Sequence, residues 1–191
     1  MTEPTPYPIV LYPAPVLKKR AHAVTPDEIR AGRTEDLDLR ELIARMFATM
    51  REAEGLGLAA PQVGVSLRLF IAHPDAEHRP PVICFNPVLS EMRGAALFEE
   101  GCLSFPGIRA KIKRAERLVL EGLDEKARPI RLAAEGLEAR CYQHETDHLD
   151  GILIVQRMGT AARFMLRDKL RALEDEYAFR QRQRSKAPAK T

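Results

Sequence analysis

Hydrophobic positions follow two different periods along this chain, and the switches between them mark its organisation. From about Asp36 to Glu54, Leu39, Leu42, Ile43, Met46, Phe47 and Met50 recur at three- and four-residue spacing with charges between them. That spacing predicts an amphipathic helix with one face on a core. Ahead of it, Thr25-Pro26-Asp27-Glu28 has the capping-box arrangement with proline at the first helical position. A short helix or turn is therefore predicted there, ending at Gly32. Residues 1–24 are punctuated by prolines and read as an extended arm. Gly55 and Gly57 are read as the end of the first long helix. After Gly64 the period shortens to two: Val65, Leu67, Leu69 and Ile71 alternate, and short strands are predicted at 81–85, 95–99, 108–113, 117–123 and 129–133. Asn86-Pro87 reads as a turn, and Asp124–Ala127 as a hairpin connection. Helical spacing returns at about 135–149, and again at about 159–179, where Leu166, Leu170, Leu173 and Tyr177 form a narrow apolar stripe. The pattern shows neither an internal repeat nor a domain linker.

The helix predicted near 135–149 carries His-Glu-x-x-His. At about 100° per residue, His144 and His148 lie one above the other, close enough for both rings to face one ion. Leu137 and Cys141 fall on the same face, so that face is expected to look inward. Glu145 is offset by roughly 100° and can flank an ion without binding it, as a proton-transfer group must. Gly151 is placed to stop the helix. Two imidazoles leave a catalytic metal short of a ligand. Of Cys84, Cys102 and Cys141, Cys102 is the best candidate because it sits in a glycine-containing bend between strands. Cys84 and Cys141 read as small hydrophobes inside regular elements. A thiolate with two imidazoles would leave an open position for water, as catalytic sites do, and this donor set by itself suggests zinc.

Composition narrows the setting. Over 191 residues, 45% are apolar and 30% charged, the balance of one globular domain rather than a disordered chain. A net charge of +3 is too small to imply nucleic acid. Residues 180–191 hold Arg180, Arg182, Arg184, Lys186 and Lys190 and no acid, and are expected to form a basic flexible tail that could touch an RNA-rich surface. Three cysteines make a disulfide framework improbable and favour a reducing interior. Neither a targeting signal nor a membrane-spanning run is read, so neither membrane nor DNA is expected as a partner.

Three stretches, Gly55–Gly64 (GLGLAAPQVG), Glu100–Ser104 (EGCLS) and Gln143–His148 (QHETDH), resemble the three signature motifs of the peptide deformylases, in the family's order and at compatible separations. The resemblance covers nearly the whole chain, and three motifs together are highly specific. It implies a bacterial cytoplasmic hydrolase that removes the N-formyl group from the formylmethionine of nascent polypeptides and releases formate. Carried over by motif, Cys102, His144 and His148 would bind the metal, with metal-bound water as nucleophile and Glu145 as general base and then acid. The Gln62 side-chain amide and the Leu103 backbone N–H would form the oxyanion hole. Gly57 and its neighbours would hydrogen-bond the substrate as an added strand. Leu56, Phe98, Arg109, Leu137, Arg140 and Cys141 would line the side-chain pocket. Arg140, odd in an apolar pocket, is expected at the mouth with its charge in water. Glu100 would support the ligands from behind. The implied ion is one Fe²⁺ per chain, for which Zn²⁺, Ni²⁺ or Co²⁺ can substitute. The terminal helix and basic tail resemble a C-terminal extension that could dock on the ribosome.

The expected fold is α+β: antiparallel, partly open sheets around a central metal-binding helix, with an N-terminal and a long C-terminal helix. The expected layout is one catalytic domain over 1–179 and the tail over 180–191. Two rival classes stay open: a metallopeptidase, whose third ligand would lie downstream at Glu174, and a non-enzymatic binder of formylated N-termini.

Overall fold

A computed structural model describes residues 4–186. Its architecture is α+β, with every strand pair antiparallel. Five strands form one sheet in the order β1-β2-β3-β6-β7: β1 Gly57–Ala59, β2 Leu69–Ala72, β3 Val82–Arg93, β6 Arg117–Leu123 and β7 Pro129–Glu135. The hairpin β4 (Ala96–Gly101) and β5 (Arg109–Arg114) stands apart as a second, two-stranded sheet. The helices are α1 Pro26–Ala31, α2 Leu39–Glu52, α3 Gly136–Leu149, the short α4 Ile154–Arg157 and α5 Thr160–Lys186.

Local chemistry accounts for the boundaries. Thr25 and Glu28 make the reciprocal capping box of α1, and Gly32, in left-handed geometry, closes it. Asp38 caps α2 by accepting from Arg40 N and Glu41 N, and Leu39, Leu42, Met46 and Met50 form its buried stripe. At the far end of α2, Glu54 takes the left-handed conformation (φ 52°), not a glycine. Gly55 serves a different need, since a Cβ there would lie 2.9 Å from Leu103 Cδ1. At the end of α3, Gly151 N–H donates to His148 O (3.2 Å) and Ile152 N–H to Asp147 O (2.8 Å). That is a Schellman closure on a left-handed glycine, which satisfies carbonyls that the helix leaves open.

The alternation at 65–71 proves to be a strand buried on both faces. Regular pairing starts at Leu69, and all four residues of β2 are buried. Leu69 and Ile71 pack with Leu42 and Met46 of α2, whereas Phe70 and Ala72 pack with Ala139 and Tyr142 of α3. The sheet is thus held between α2 and the histidine helix. Asn86-Pro87 does not turn the chain. The long β3 runs through it by a register shift between Phe85 and Val88, with Asn86 at φ 50°. The Asn86 side chain bonds the backbone of Val24 in both directions, at 3.0 and 2.7 Å, so the bulge is used to hold the N-terminal arm. The predicted stripe of α5 packs on Phe105, Ile108 and Ile112. That helix does not stop near 179 but continues to Lys186, taking in most of the basic residues assigned to a flexible tail. Residues 187–191 of that tail lie outside the described residues.

Gly151 supplies a test. A Cβ there would sit 2.7 Å from Lys18 O in a residue whose φ is 71°. Gly151→Ala is expected to destabilise the fold by about 2 kcal/mol. For a chain of this size that lowers the melting temperature by roughly 5 °C, readable by calorimetry; an unchanged melting temperature would contradict the closure described.

Candidate metal centre

The helical geometry of α3 sets His144 and His148 with ring centroids 5.0 Å apart. Cys102 follows the last residue of β4 and opens a tight turn in which Phe105 N–H donates to Cys102 O at 2.9 Å. One donor atom from each of the three residues lies within 4.8 Å of the others, and Cys102 Sγ is 3.3 Å from His148 Nε2. Sulfur and nitrogen sharing one tetrahedral ion would stand roughly 3.5 Å apart, so the Cys102–His148 pair is at the spacing a shared transition metal requires, and the chemistry of the donor set fits one. His144 Nδ1 donates to Glu100 Oε2 at 3.1 Å, which leaves its Nε2 for an ion. Burial keeps His148 well below the ordinary imidazole pKa, in the neutral form a ligand requires. Burial opposes protonation of His144 too, but its bonds to Cys102 and Glu100 outweigh this and raise it well above the ordinary value. That proton occupies a pocket of negative charge which a dication would also satisfy.

Around this cluster stand groups that can handle protons and oxyanions. Glu145 is buried, with Oε2 lacking a partner among the described residues. Burial pushes its carboxyl up to about 7; a dication beside it would pull it back down. Gln62 is held in a fixed orientation: Ala59 N–H donates to its Oε1 at 2.9 Å, and its Nε2 reaches Ser104 Oγ at 3.3 Å and Cys102 Sγ at 3.8 Å. Leu103 is half-buried beside Cys102 and packs against Gly55. Gly57 lies so close to α3 that a Cβ would meet Glu145 Oε1 at 2.6 Å and Cys141 Sγ at 2.9 Å.

The support behind the ligands is an ion network. Glu100 accepts from Arg114 through Nε and Nη2, both at 3.1 Å, from Arg140 Nη1 at 2.7 Å and from His144. Burial works against its charge, but the bonds from His144 and Arg114 prevail and hold its pKa at about 2. Arg114 also bonds Asp147, which Arg157 grips at 2.5 and 3.0 Å. Sequence reasoning missed Arg114 and Asp147. The signal for Arg114 was the alternation of Arg109-Ala110-Lys111-Ile112-Lys113-Arg114, which puts this one charge in phase with the buried Ala110 and Ile112.

The expected pocket residues differ in burial. Arg140 does not keep its charge in water: it is buried, bonded to Glu100, Ile112 O and Ala96 O, and stacked on Phe98 at 4.7 Å. Leu137, in the exposed first turn of α3, is 51% exposed. Leu56 and Phe98 are exposed, Arg109 pairs with Glu99 at 2.8 Å, and buried Cys141 donates to Leu56 O at 3.5 Å. Cys84 is fully buried, which pushes its thiol up to about 12. Glu174, the ligand of the rival reading, lies outside the cluster and accepts from Tyr12 O–H at 2.5 Å.

A family model described as polypeptide deformylase matches residues 6–164. This chain belongs to that family. The peptide deformylase of Thermodesulfovibrio yellowstonii is 42% identical over 162 residues, covering 84% of this chain and 93% of the relative. That of Alkalilimnicola ehrlichii is 42% identical over 166 residues, 86% of this chain and 89% of the relative. Among solved structures, the Thermus thermophilus deformylase superposes with a TM-score of 0.78 at 40% identity, covering 89% of this chain and 98% of its own. A deformylase of Arabidopsis thaliana gives 0.81 at 32% identity, with coverage of 90% and 92%. Deformylases remove the formyl group from the N-terminus of nascent peptides, and the Cys102–His144–His148 cluster of this member has the donors to hold a metal.

In this deformylase the close approach of β1 to α3 fixes where Glu145 stands. Gly57→Ala must push the carboxylate or the strand aside. Deformylase turnover is expected to fall by about 100-fold, since displacements near 1 Å cost that much, while the metal:protein ratio stays as in wild type; wild-type turnover would contradict the arrangement.

Proposed function

We propose that this chain is a metal-dependent deformylase that hydrolyses the N-formyl group of formylmethionyl peptides, with Cys102, His144 and His148 holding one Fe²⁺. The observation that carries this reading is the convergence of one sulfur and two imidazole nitrogens within 4.8 Å beside a buried carboxylate whose Oε2 has no partner among the described residues. When bound, the ion supplies Lewis acidity, which makes a water more acidic and polarises a carbonyl. Glu145 takes a proton from the attacking water as its oxygen bonds the formyl carbon. It returns that proton to the peptide nitrogen as the C–N bond breaks, leaving formate and a free amine. The Gln62 Nε2 and the Leu103 backbone N–H donate to the formyl oxygen as it gains charge. Each such donor can be worth about 3 kcal/mol in the transition state.

β1 is an edge strand, so its outer side can pair with an extended substrate backbone alongside Gly57. Leu56, Phe98, Leu137, Arg140 and Cys141, with Arg109 at the rim, then line the space for the methionine side chain. A bacterial cytoplasmic setting is part of this proposal, since it is where nascent formylmethionyl chains would be met. No helix of the described residues is long and apolar enough to cross a membrane. The long α5 carries Arg180 and Arg182 near its end, and we infer that this segment contacts the ribosome surface.

Formate release from a formyl-Met peptide tests the reading against its rivals. Wild type is expected to turn over. Glu145→Ala is expected to keep its metal and lose activity by about 10²- to 10⁴-fold. Cys102→Ala is expected to lose the metal, whereas Glu174→Ala keeps it; the reverse pattern would favour a metallopeptidase, and no release by wild type would refute catalysis. Metal analysis with parallel aerobic and anaerobic preparations addresses the ion. Iron-loaded enzyme should be the more active and should decay in air as iron and Cys102 oxidise; equal activity with zinc would overturn the assignment of Fe²⁺.

A further inference from the structure

Arg140 is an unusual wall for a pocket that takes an apolar side chain, and its contacts assign it a task. Its guanidinium is buried and gripped by the second sheet from two strands, donating to Ala96 O of β4 (3.5 Å) and Ile112 O of β5 (3.3 Å). Its third anchor is Glu100 at 2.7 Å. The charged plane so fixed lies 4.7 Å from the ring of Phe98, within cation–π range. Phe98 pairs with Ile112 across the hairpin but is 58% exposed, with no other ring stacked on it among the described residues. The neighbouring helical residue Cys141 holds the Leu56 carbonyl at 3.5 Å and faces Gly57 and Glu145. Phe98 therefore contacts α3 at the residue next to Cys141, which borders the proposed catalytic carboxylate.

We propose that Arg140 is a specificity-determining positioning residue: it locks Phe98 as a rigid wall that keeps the pocket a slot for an unbranched side chain and excludes bulky ones. This rests on the deformylase reading above. A free phenylalanine ring on an exposed strand rotates between rotamers and widens the space it borders. A ring stacked on an immobile guanidinium does not. Lysine cannot reproduce the effect, because an ammonium lacks the plane and the directed donors that span both strands.

The test is a ratio rather than a rate. With formyl-Met, formyl-norleucine and formyl-Phe peptides, wild type should favour the two unbranched substrates by kcat/KM. Arg140→Leu should reduce the preference for Met over Phe by roughly three- to tenfold, the range expected for losing one cation–π contact. The change should appear chiefly in KM for the Phe peptide, and Arg140→Lys should relax the preference in the same direction. Phe98→Ala should relax it to a similar extent, and Arg140→Leu added to Phe98→Ala should produce no further change, since the first acts through the second. An unaltered ratio in Arg140→Leu, or effects that multiply in the double variant, overturns the proposal. Loss of metal with an equal fall for every substrate also overturns it, because Arg140 would then act through Glu100. If Arg140→Leu does not fold, Phe98→Ala and Arg140→Lys decide, and unchanged preference in both refutes the wall. Absence of formate release by wild type from any of these peptides is a different result, which removes the deformylase reading itself.

Discussion

A single buried carboxylate, that of Glu100, ties the chemistry of this protein to its architecture. Taking such a charge out of water costs several kcal/mol, which only well-placed donors offset. Here they come from β5, through Arg114, and from α3, through Arg140 and His144. Satisfying this charge therefore fastens the free-standing β4–β5 hairpin to the histidine helix. It also orients one imidazole and delivers Cys102, two residues further on, to the two ring nitrogens. The ligand set and the anchoring of the second sheet are consequences of the same contact.

Close packing supplies what charge does not. β1 can approach α3 only because residue 57 has no side chain, and the approach brings a free strand edge alongside the Glu145 carboxylate. Small residues in this stretch are thus a spatial requirement of placing an edge strand beside the proposed general base. The same logic holds at Gly151, where the helix closes against the backbone of the N-terminal arm.

That arm, in turn, braces the segments that carry Gln62 and Cys102. Val10 N–H donates to Gln62 O at 2.7 Å and Tyr12 N–H to Ser104 O at 2.9 Å, so alternate residues of the arm hold the proposed oxyanion donor and the cysteine turn. Tyr12 stacks on Phe105 at 4.7 Å and reaches α5 through Glu174. The C-terminal helix packs on the same cluster as the loop that carries Cys102, although it contributes no residue to the metal cluster.

Local patterns in the sequence determined much of this. The caps of α1, the buried stripe of α2, the stacked histidines, the cysteine in a bend and the glycine closing α3 all follow from interactions within a few residues, and all stand where the periodicity put them. Three motifs were enough to indicate the family. Only the tertiary structure decided which charges meet. Arg114 and Asp147 lie 33 positions apart, and Arg140 and Glu100 lie 40 apart, so no local rule pairs them. A lone arginine on a helix is expected to reach for water; a buried carboxylate brought to it by sheet topology holds it inside instead. Likewise Asn86-Pro87 carries the local signal of a turn, yet strand pairing on both sides, and a backbone partner at Val24, make it a bulge. Short-range propensity sets the elements; the desolvation cost of unpaired groups, which depends on what the whole fold brings near them, sets how they are joined.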